Sequence, residues 1–342
     1  MNEIEQFKQN KIKKISQYHN LKLNERSRQY ILEKNSISKK LLSQKQKVDL
    51  INSITNKYKT DVNKLNLYIK QQISYINELK IDDTTIKNKK ALLFGLNYEN
   101  TYNELNGCIN DANNISNFIQ NFGFKKDNIN IYTDDTEIKP TASNIITLIT
   151  DFLKNAVDND LLFLYYSGHG SYTYDSGGDE LDKKDEVIVS LDLFGIKDDD
   201  LKNIIKIYLK KNVTLFCLFD CCNSGSILDM KYQYLESLNY HLNNNTISDT
   251  NDIETNGNVV LISGCRDEQY SYETNQINTQ TNNTQIQGLM TTNFINIVNS
   301  DPLITWKNLL IKLRDNIKKI NNEQLPQLSS GKLININSKV YL

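Results

Sequence analysis

A chain of 342 residues can bury a large core and hold one large domain beside a smaller part. Its formal charge of −1 gives no bulk electrostatic reason to expect nucleic acid or a membrane surface as a partner. No apolar run approaches the ~18 residues of a membrane span, and the charged start Met1–Lys8 lacks the apolar stretch of a secretory leader. The five cysteines (Cys108, Cys217, Cys221, Cys222 and Cys265) are odd in number, form no CxxC pair and sit mostly in or beside apolar runs. That argues against a disulfide framework or a zinc site and for a reducing, cytoplasmic compartment.

Residues 1–87 are rich in Lys, Glu, Gln and Asn, with apolar residues at rough helical spacing: Leu41, Leu42, Val48, Leu50, Ile51 and Ile54, then Leu65, Leu67, Ile69, Ile73 and Ile76. They predict a charged extension of two or three amphipathic helices ending near Asp82 and Asp83, a candidate pro-region. The alternative is a charged tail without stable structure.

The pattern changes at Lys89 and Lys90, and residues 88–342 read as one domain. Ala91–Leu96 is a buried-type strand, 106–120 a helix ended by Gly123, and Asn130–Tyr132 a second strand. Residues 141–155 form a helix with Thr141 or Ser143 as its cap. Leu161–Tyr166 is again a strand, 171–186 a polar surface loop, Val187–Val189 a short strand and 199–210 a helix. Strands at Val213–Phe219 and Val259–Ser263 follow, then helices at 294–297 and 306–317, with Val340 and Tyr341 closing the sheet. Residues 239–256 and 273–287 are polar and without periodicity, and read as long loops. Strands alternating with helices predict an α/β fold whose mostly parallel central sheet is flanked by helices on both faces.

The chemistry lies after two of these strands. Leu161–Tyr166 runs into Ser167-Gly168-His169-Gly170, and Val213–Phe219 runs into Asp220-Cys221-Cys222-Asn223-Ser224-Gly225. In an open parallel sheet, sites gather outside the carboxyl ends of the strands. His169 and Cys222 each lie three residues past such an end, 53 residues apart with one helix between, so their strands are predicted neighbours. An imidazole beside a thiol is what a cysteine hydrolase needs. Of the three histidines only His169 is flanked by glycines at a strand end; read alone, it could equally cap the strand or satisfy a core hydrogen bond. Cys222 is better placed than Cys221 at the mouth of a following helix, where the dipole lowers a thiol pKa; Cys221 and Cys217 read as small core residues. The N–H groups of Gly170 and Cys222 are candidates for an oxyanion hole. Asp111 and Asp220 lie near carboxyl ends of strands, and paired carboxylates in a cleft attract a cation. Asp111 reads equally as a first-turn acid of its helix.

Tyr166–Gly170 and Asp220–Gly225 resemble the two catalytic motifs of the metacaspases. Ala91–Tyr98, Gly107–Ala112, Gly178–Asp182, Asp185–Ile188, Ile262–Cys265 and Pro326–Gly331 resemble further segments of that family in unbroken order over 88–342. No zinc-finger segment or Pro-rich prodomain precedes them. The resemblance implies a caspase-like fold and a calcium-activated, monomeric cysteine endopeptidase that cleaves protein or peptide substrates after Arg or Lys and processes itself. His169 would be general base and acid, and Cys222 the nucleophile. Cys108, Asp111, Ser167 and Asp220 would line the specificity pocket. Asp185, Asp198, Asp199 and Asp229 would bind Ca2+, which wants several hard oxygen ligands. Lys197–Asp200 reads equally as an acidic helix start. The family carries His after the catalytic Cys, where this chain has Asn223, which keeps hydrogen-bonding capacity and loses the charge. The alternative function is a catalytically silent module of the same fold whose N-terminal helices bind partners.

Overall fold

The computed structural model describes residues 3–78, 86–174, 184–221, 228, 230–234, 247–249, 254–264, 273–277, 284–321 and 324–342. The backbone divides into two compact units, Met1–Asp82 and Asp83–Leu342.

The first unit is a helical hairpin of α1 (Glu3–Ser38) and α2 (Gln44–Glu78). Contacts between the helices follow one antiparallel register: His19 with Asn66, Ser27 with Tyr58, and Tyr30 with Thr55. The Tyr30 and Tyr58 rings stack at 4.8 Å. Ser43 and Gln46 form a reciprocal capping box that starts α2: the Gln46 side chain accepts the Ser43 N–H at 3.0 Å, and Ser43 Oγ accepts the Gln46 N–H at 3.3 Å. Among the described apolar side chains of this unit, only Ile37 and Ile69 are fully buried. Residues 1–82 carry 17 Lys and Arg against 8 Asp and Glu, and residues 83–342 carry 23 against 33. The near-neutral total therefore joins a basic hairpin to an acidic domain.

The second unit begins with β1 (Asn88–Gly95), α3 (Cys108–Gln120), β2 (Ile129–Thr133), α4 (Ala142–Lys154) and β3 (Asp160–Ser167). It continues with β4 (Gly170–Tyr174), β5 (Lys184–Val189), β6 (Gly195–Lys197), α5 (Asp198–Tyr208), β7 (Thr214–Asp220), β8 (Tyr232–Tyr234) and β9 (Ile247–Asp249). It ends with β10 (Asn258–Ser263), β11 (Glu273–Ile277), β12 (Thr284–Gly288), α6 (Leu289–Ser300), α7 (Trp306–Lys318) and β13 (Gln327–Ser330).

The main sheet has eight strands in the order β2-β1-β3-β7-β10-β13-β8-β9. The first five run parallel, and the last three extend the sheet antiparallel. The apolar runs become its centre; every residue of β3 is buried. Alternate residues feed opposite faces. Leu93, Phe163, Tyr165, Phe216 and Ile262 pack under α3, α6 and α7 with Ile115, Phe294, Trp306 and Leu309. Leu92, Leu164, Tyr166, Cys217 and Leu261 pack under α4 and α5 with Ile145, Ile149, Leu201 and Ile205. Each such aliphatic or aromatic side chain is worth roughly 1.5–3 kcal/mol on burial, so the two layers hold the parallel strand ends rigidly. Thr141 caps α4 by accepting the Asn144 N–H at 3.3 Å.

The structure differs from expectation in three places. Inside the expected loop of 171–186 the chain forms β4, and the expected strand at Val187–Val189 starts earlier, at Lys184, as β5; the two pair antiparallel in a three-stranded sheet with β6. Within the two polar stretches, β9 joins the main sheet and β11 pairs with β12. The ladder is made by the backbone, so Thr-, Gln- and Asn-rich segments can form it without an apolar pattern. Val340 and Tyr341 do not close the sheet; β13 pairs with β10 instead, and the Val340 N–H bonds the Ile304 carbonyl at 3.0 Å. No described helix is long and apolar enough to cross a membrane.

Candidate active site

Strands β3 and β7 are parallel neighbours in which Ser167 pairs with Asp220. Adjacent strands lie about 4.8 Å apart. Each strand runs on into one of the two motifs: His169 comes two residues after Ser167 in the sequence, and Cys222 two residues after Asp220. Cys222 itself, with Asn223 and Asp229, lies outside the described residues.

His169 is half-buried and tightly held. Its N–H donates to Tyr98 Oη at 2.9 Å, and its carbonyl accepts the Val189 N–H at 3.0 Å. The two phenols serve two carbonyls: Tyr98 donates to Val189 O at 2.6 Å, and Tyr166 Oη stands 2.8 Å from His169 O and 2.7 Å from Val189 O, in reach to donate to either. Burial pushes both phenols far above their ordinary pKa, so they remain donors. The Tyr98 ring lies 4.8 Å from the imidazole, centroid to centroid. Gly168 permits this packing. A Cβ there would stand 2.6 Å from Tyr166 Oη and 2.8 Å from Tyr98 Oη.

The imidazole Nε2 is 2.7 Å from the Asn103 carbonyl oxygen. A carbonyl only accepts, so Nε2 carries the hydrogen and Nδ1 keeps the lone pair that can take a proton. Gly170 faces Ile188 in the antiparallel ladder, and the Val189-to-His169 bond makes this a non-hydrogen-bonded pair. The Gly170 N–H is therefore directed away from β5.

Of the four pocket candidates, Asp111, Ser167 and Asp220 come together, and Cys108 stands one turn before Asp111 on α3. Cys108, Asp111, Ser167 and Asp220 are all buried, Asp111 to 1% and Asp220 to 4% exposure. Ser167 Oγ donates to Asp111 Oδ2 at 3.1 Å. The Gly288 N–H is shared between the two Asp111 oxygens at 3.0 and 2.9 Å. Asp220 Oδ2 accepts the Thr291 N–H at 2.9 Å and the Thr291 hydroxyl at 2.7 Å. Asn97 sets the start of α3, its Oδ1 accepting the N–H groups of Cys108 and Ile109 at 3.0 and 3.2 Å.

The acidic turn is partly described. Asp198 opens α5 with its carboxylate 1% exposed, and its Oδ1 accepts the Asp199 N–H at 2.8 Å. The β5–β6 register pairs Val187 with Lys197. The ladder ends there, because Asp198 and Asp199 already belong to α5; Glu186, the next residue back along β5, is 3% exposed. The side chain of Asp185 lies outside the described residues. Among the described residues no group of three or more His, Cys, Asp or Glu is placed to hold a metal ion; Asp229 and the Asp185 side chain, two of the four expected ligands, lie outside them.

Comparison with known proteins agrees with this arrangement. The family model described as metacaspase, peptidase C14 domain, matches residues 89–231. Metacaspase-1 of Kluyveromyces lactis is 32% identical over 303 residues, which cover 74% of this chain and 68% of that protein. The chain belongs to the metacaspase family. Metacaspase-1 of Saccharomyces cerevisiae is 45% identical over 153 residues, which cover 43% of this chain but only 35% of the relative. A solved protein of Geobacter sulfurreducens shares the fold at 19% identity, with a TM-score of 0.53 over 74% of this chain and 97% of that one. The caspase-like fold expected of a metacaspase, a mostly parallel sheet between two helical layers, is the fold observed.

Four contributors escaped the sequence reading. Tyr98 and Asn97 lie within a segment that resembles metacaspases, but nothing in their spacing announced that one holds His169 and the other the start of α3. Gly288 and Thr291 reach the pocket only because α6 begins beside α3 and β7. Among the described cysteines, Cys108, Cys217 and Cys221 are buried, and burial pushes the Cys217 thiol far up in pKa. That suits packing and not nucleophilic attack.

Proposed function

We propose that this chain is a calcium-activated cysteine endopeptidase that cleaves after Arg or Lys and processes itself. The observation that supports it is the Ser167–Asp220 pair of the parallel strands β3 and β7, which run on into the two motifs, with His169 Nε2 held 2.7 Å from the Asn103 carbonyl.

In this reading Cys222 Sγ attacks the substrate carbonyl carbon and its proton passes to His169 Nδ1. The N–H groups of Gly170 and Cys222 hold the oxyanion. The tetrahedral centre collapses to a thioester as the imidazolium gives its proton to the leaving amine. Water, deprotonated by the same nitrogen, then hydrolyses the thioester and restores the thiol. Cys108, Asp111, Ser167 and Asp220 receive the basic side chain ahead of the scissile bond, and the two carboxylates meet its charge. Asp185, Asp198, Asp199 and Asp229 would hold Ca2+, and the ion would supply positive charge to these carboxylates when bound. Lys183, Lys184, Lys231 and Arg266 are candidate positions for self-cleavage.

The test is turnover of fluorogenic peptides ending in Arg, Lys or Asp, with and without calcium, beside a Cys222→Ala control. Turnover of the Arg and Lys peptides that depends on calcium and on Cys222 is expected. No turnover of any peptide leaves the silent-module reading. Preference for Asp overturns the pocket, and full activity in chelator overturns the metal site.

A further inference from the structure

We infer that the amino end of α6 is part of the specificity pocket, with Thr291 as the positioning residue that fixes Asp220 for a guanidinium. The inference rests on the proposed preference for Arg and Lys and deepens it.

Asp220 is the last residue of β7, and a carboxylate at a strand end can turn about two side-chain torsions. Here Thr291 pins one of its oxygens. Thr291 places both its backbone N–H and its hydroxyl on the same oxygen, Oδ2, at 2.9 and 2.7 Å. Proton accounting then fixes a chain of donors. A carboxylate only accepts, so the single hydroxyl hydrogen of Thr291 is committed to Asp220. The contact of 2.8 Å between Tyr165 Oη and Thr291 Oγ1 must therefore be donated by the tyrosine. Burial, reinforced by the charges of Asp111 and Asp220, keeps the Tyr165 phenol protonated and able to do so. The relay runs from Tyr165 on β3 through Thr291 on α6 to Asp220 on β7.

Asp111 is held by the same helix end, through the Gly288 N–H at its N-cap. First-turn amides have no acceptor within their own helix and carry the positive end of its dipole. Donors from one helix end thus face both carboxylates and set their separation. Gly288 leaves no spare room between them, since a Cβ would stand 2.3 Å from Asp220 Oδ2 and 2.7 Å from Asp111 Oδ2.

Fixed geometry matters unequally to the two basic side chains. A guanidinium donates from a rigid planar fork and needs its acceptors in place, whereas an ammonium is a point charge that tolerates displacement. Loosening Asp220 should therefore harm Arg substrates more than Lys substrates.

The experiment measures kcat and KM for matched Arg and Lys peptides in the wild type and in Thr291→Val, Thr291→Ser and Tyr165→Phe. Active sites are counted by titration so that folded fractions are compared. Thr291→Val should raise KM for the Arg peptide about tenfold, the scale of a lost bond to a charged group, with kcat little changed and the Arg-to-Lys preference reduced. The hydroxyl donor favours the ionised carboxylate, so its loss raises the Asp220 pKa and moves the acid limb of kcat/KM to higher pH. Thr291→Ser should restore all three readouts. Tyr165→Phe, which reads the relay from its other end, should shift the preference in the same direction by a smaller factor. Unchanged KM and preference in Thr291→Val would overturn the inference; should that variant not fold, an unchanged preference in Tyr165→Phe would do so. A wild type without preference for Arg or Lys would instead overturn the parent reading.

Discussion

The Tyr98 phenol accepts the backbone N–H of His169 at 2.9 Å while its ring lies 4.8 Å from the imidazole. A residue 71 positions earlier, after the first strand of the sheet, thereby fixes both the backbone and the ring of the candidate base. Tyr98→Phe keeps the ring and removes the acceptor. The expected result is a kcat reduced about tenfold, near the ~1.4 kcal/mol of one hydrogen bond, with KM for the Arg peptide within about twofold. Steady-state kinetics on the two forms checks it.

Gly168 offers a sharper test of the same packing. The methyl of Gly168→Ala would meet two phenol oxygens closer than 3 Å. Overpacking of this kind costs about 1–3 kcal/mol, and relief of the clash would have to move His169. Urea denaturation should show that loss, and turnover should fall far more than it does in Tyr98→Phe.

Asn97 does for α3 what a capping side chain usually does from within a helix. Gly107 at the N-cap position has no side chain to offer, and Asn97 accepts the first two N–H groups instead. Asn97→Ala should cost about 1 kcal/mol of stability, in the range of lost caps. Because Asp111 sits in that first turn, KM for Arg peptides should rise as well. Denaturation and kinetics on one preparation measure both.

Asp160 supplies a pH test far from the site. Burial alone would raise its pKa, but the Lys90 ammonium at 2.7 Å, the Val157 N–H at 3.0 Å and the Asn88 amide at 2.8 Å outweigh it and hold the carboxyl below its ordinary value. A depressed carboxylate stabilises the fold above its unfolded pKa and loses that contribution as pH falls through its folded pKa. Asp160→Asn should therefore be less stable than wild type at pH 7 by about 1–3 kcal/mol. The gap should narrow as the pH falls below about 4, toward the folded value. Unfolding curves across pH 2–8 test the sign.

The legible part of this fold was the part built from apolar runs. β1, β3, β7 and β10 could be placed because a strand buried on both faces is apolar at every position, and the adjacency of β3 and β7 followed from a right-handed crossover. Strands β4, β11 and β12 could not, because their ladders are made by backbone groups that every residue carries. His169, Asp111 and Asp220 could be named in advance because their chemistry is local, a glycine-flanked imidazole and two acids; Cys222 was named on the same ground and lies outside the described residues. Thr291 and Tyr98 were not, because a hydroxyl acquires its role only from what the folded chain brings within 3 Å of it. The hidden charge division is similar in kind: a total of −1 conceals a basic hairpin and an acidic domain until the fold shows where to cut.

The central claim is a covalent intermediate on Cys222 made by proton transfer to His169. Acid quench of the enzyme during turnover of an Arg peptide in calcium, followed by mass spectrometry of the digested protein, measures it directly. The account predicts an acyl thioester on the peptide that contains Cys222, absent in Cys222→Ala and formed at least a hundredfold more slowly in His169→Ala, the lower scale of general-base assistance. Cleavage by Cys222→Ala at the wild-type rate, or an adduct on Cys108, Cys217, Cys221 or Cys265 in place of Cys222, would contradict it.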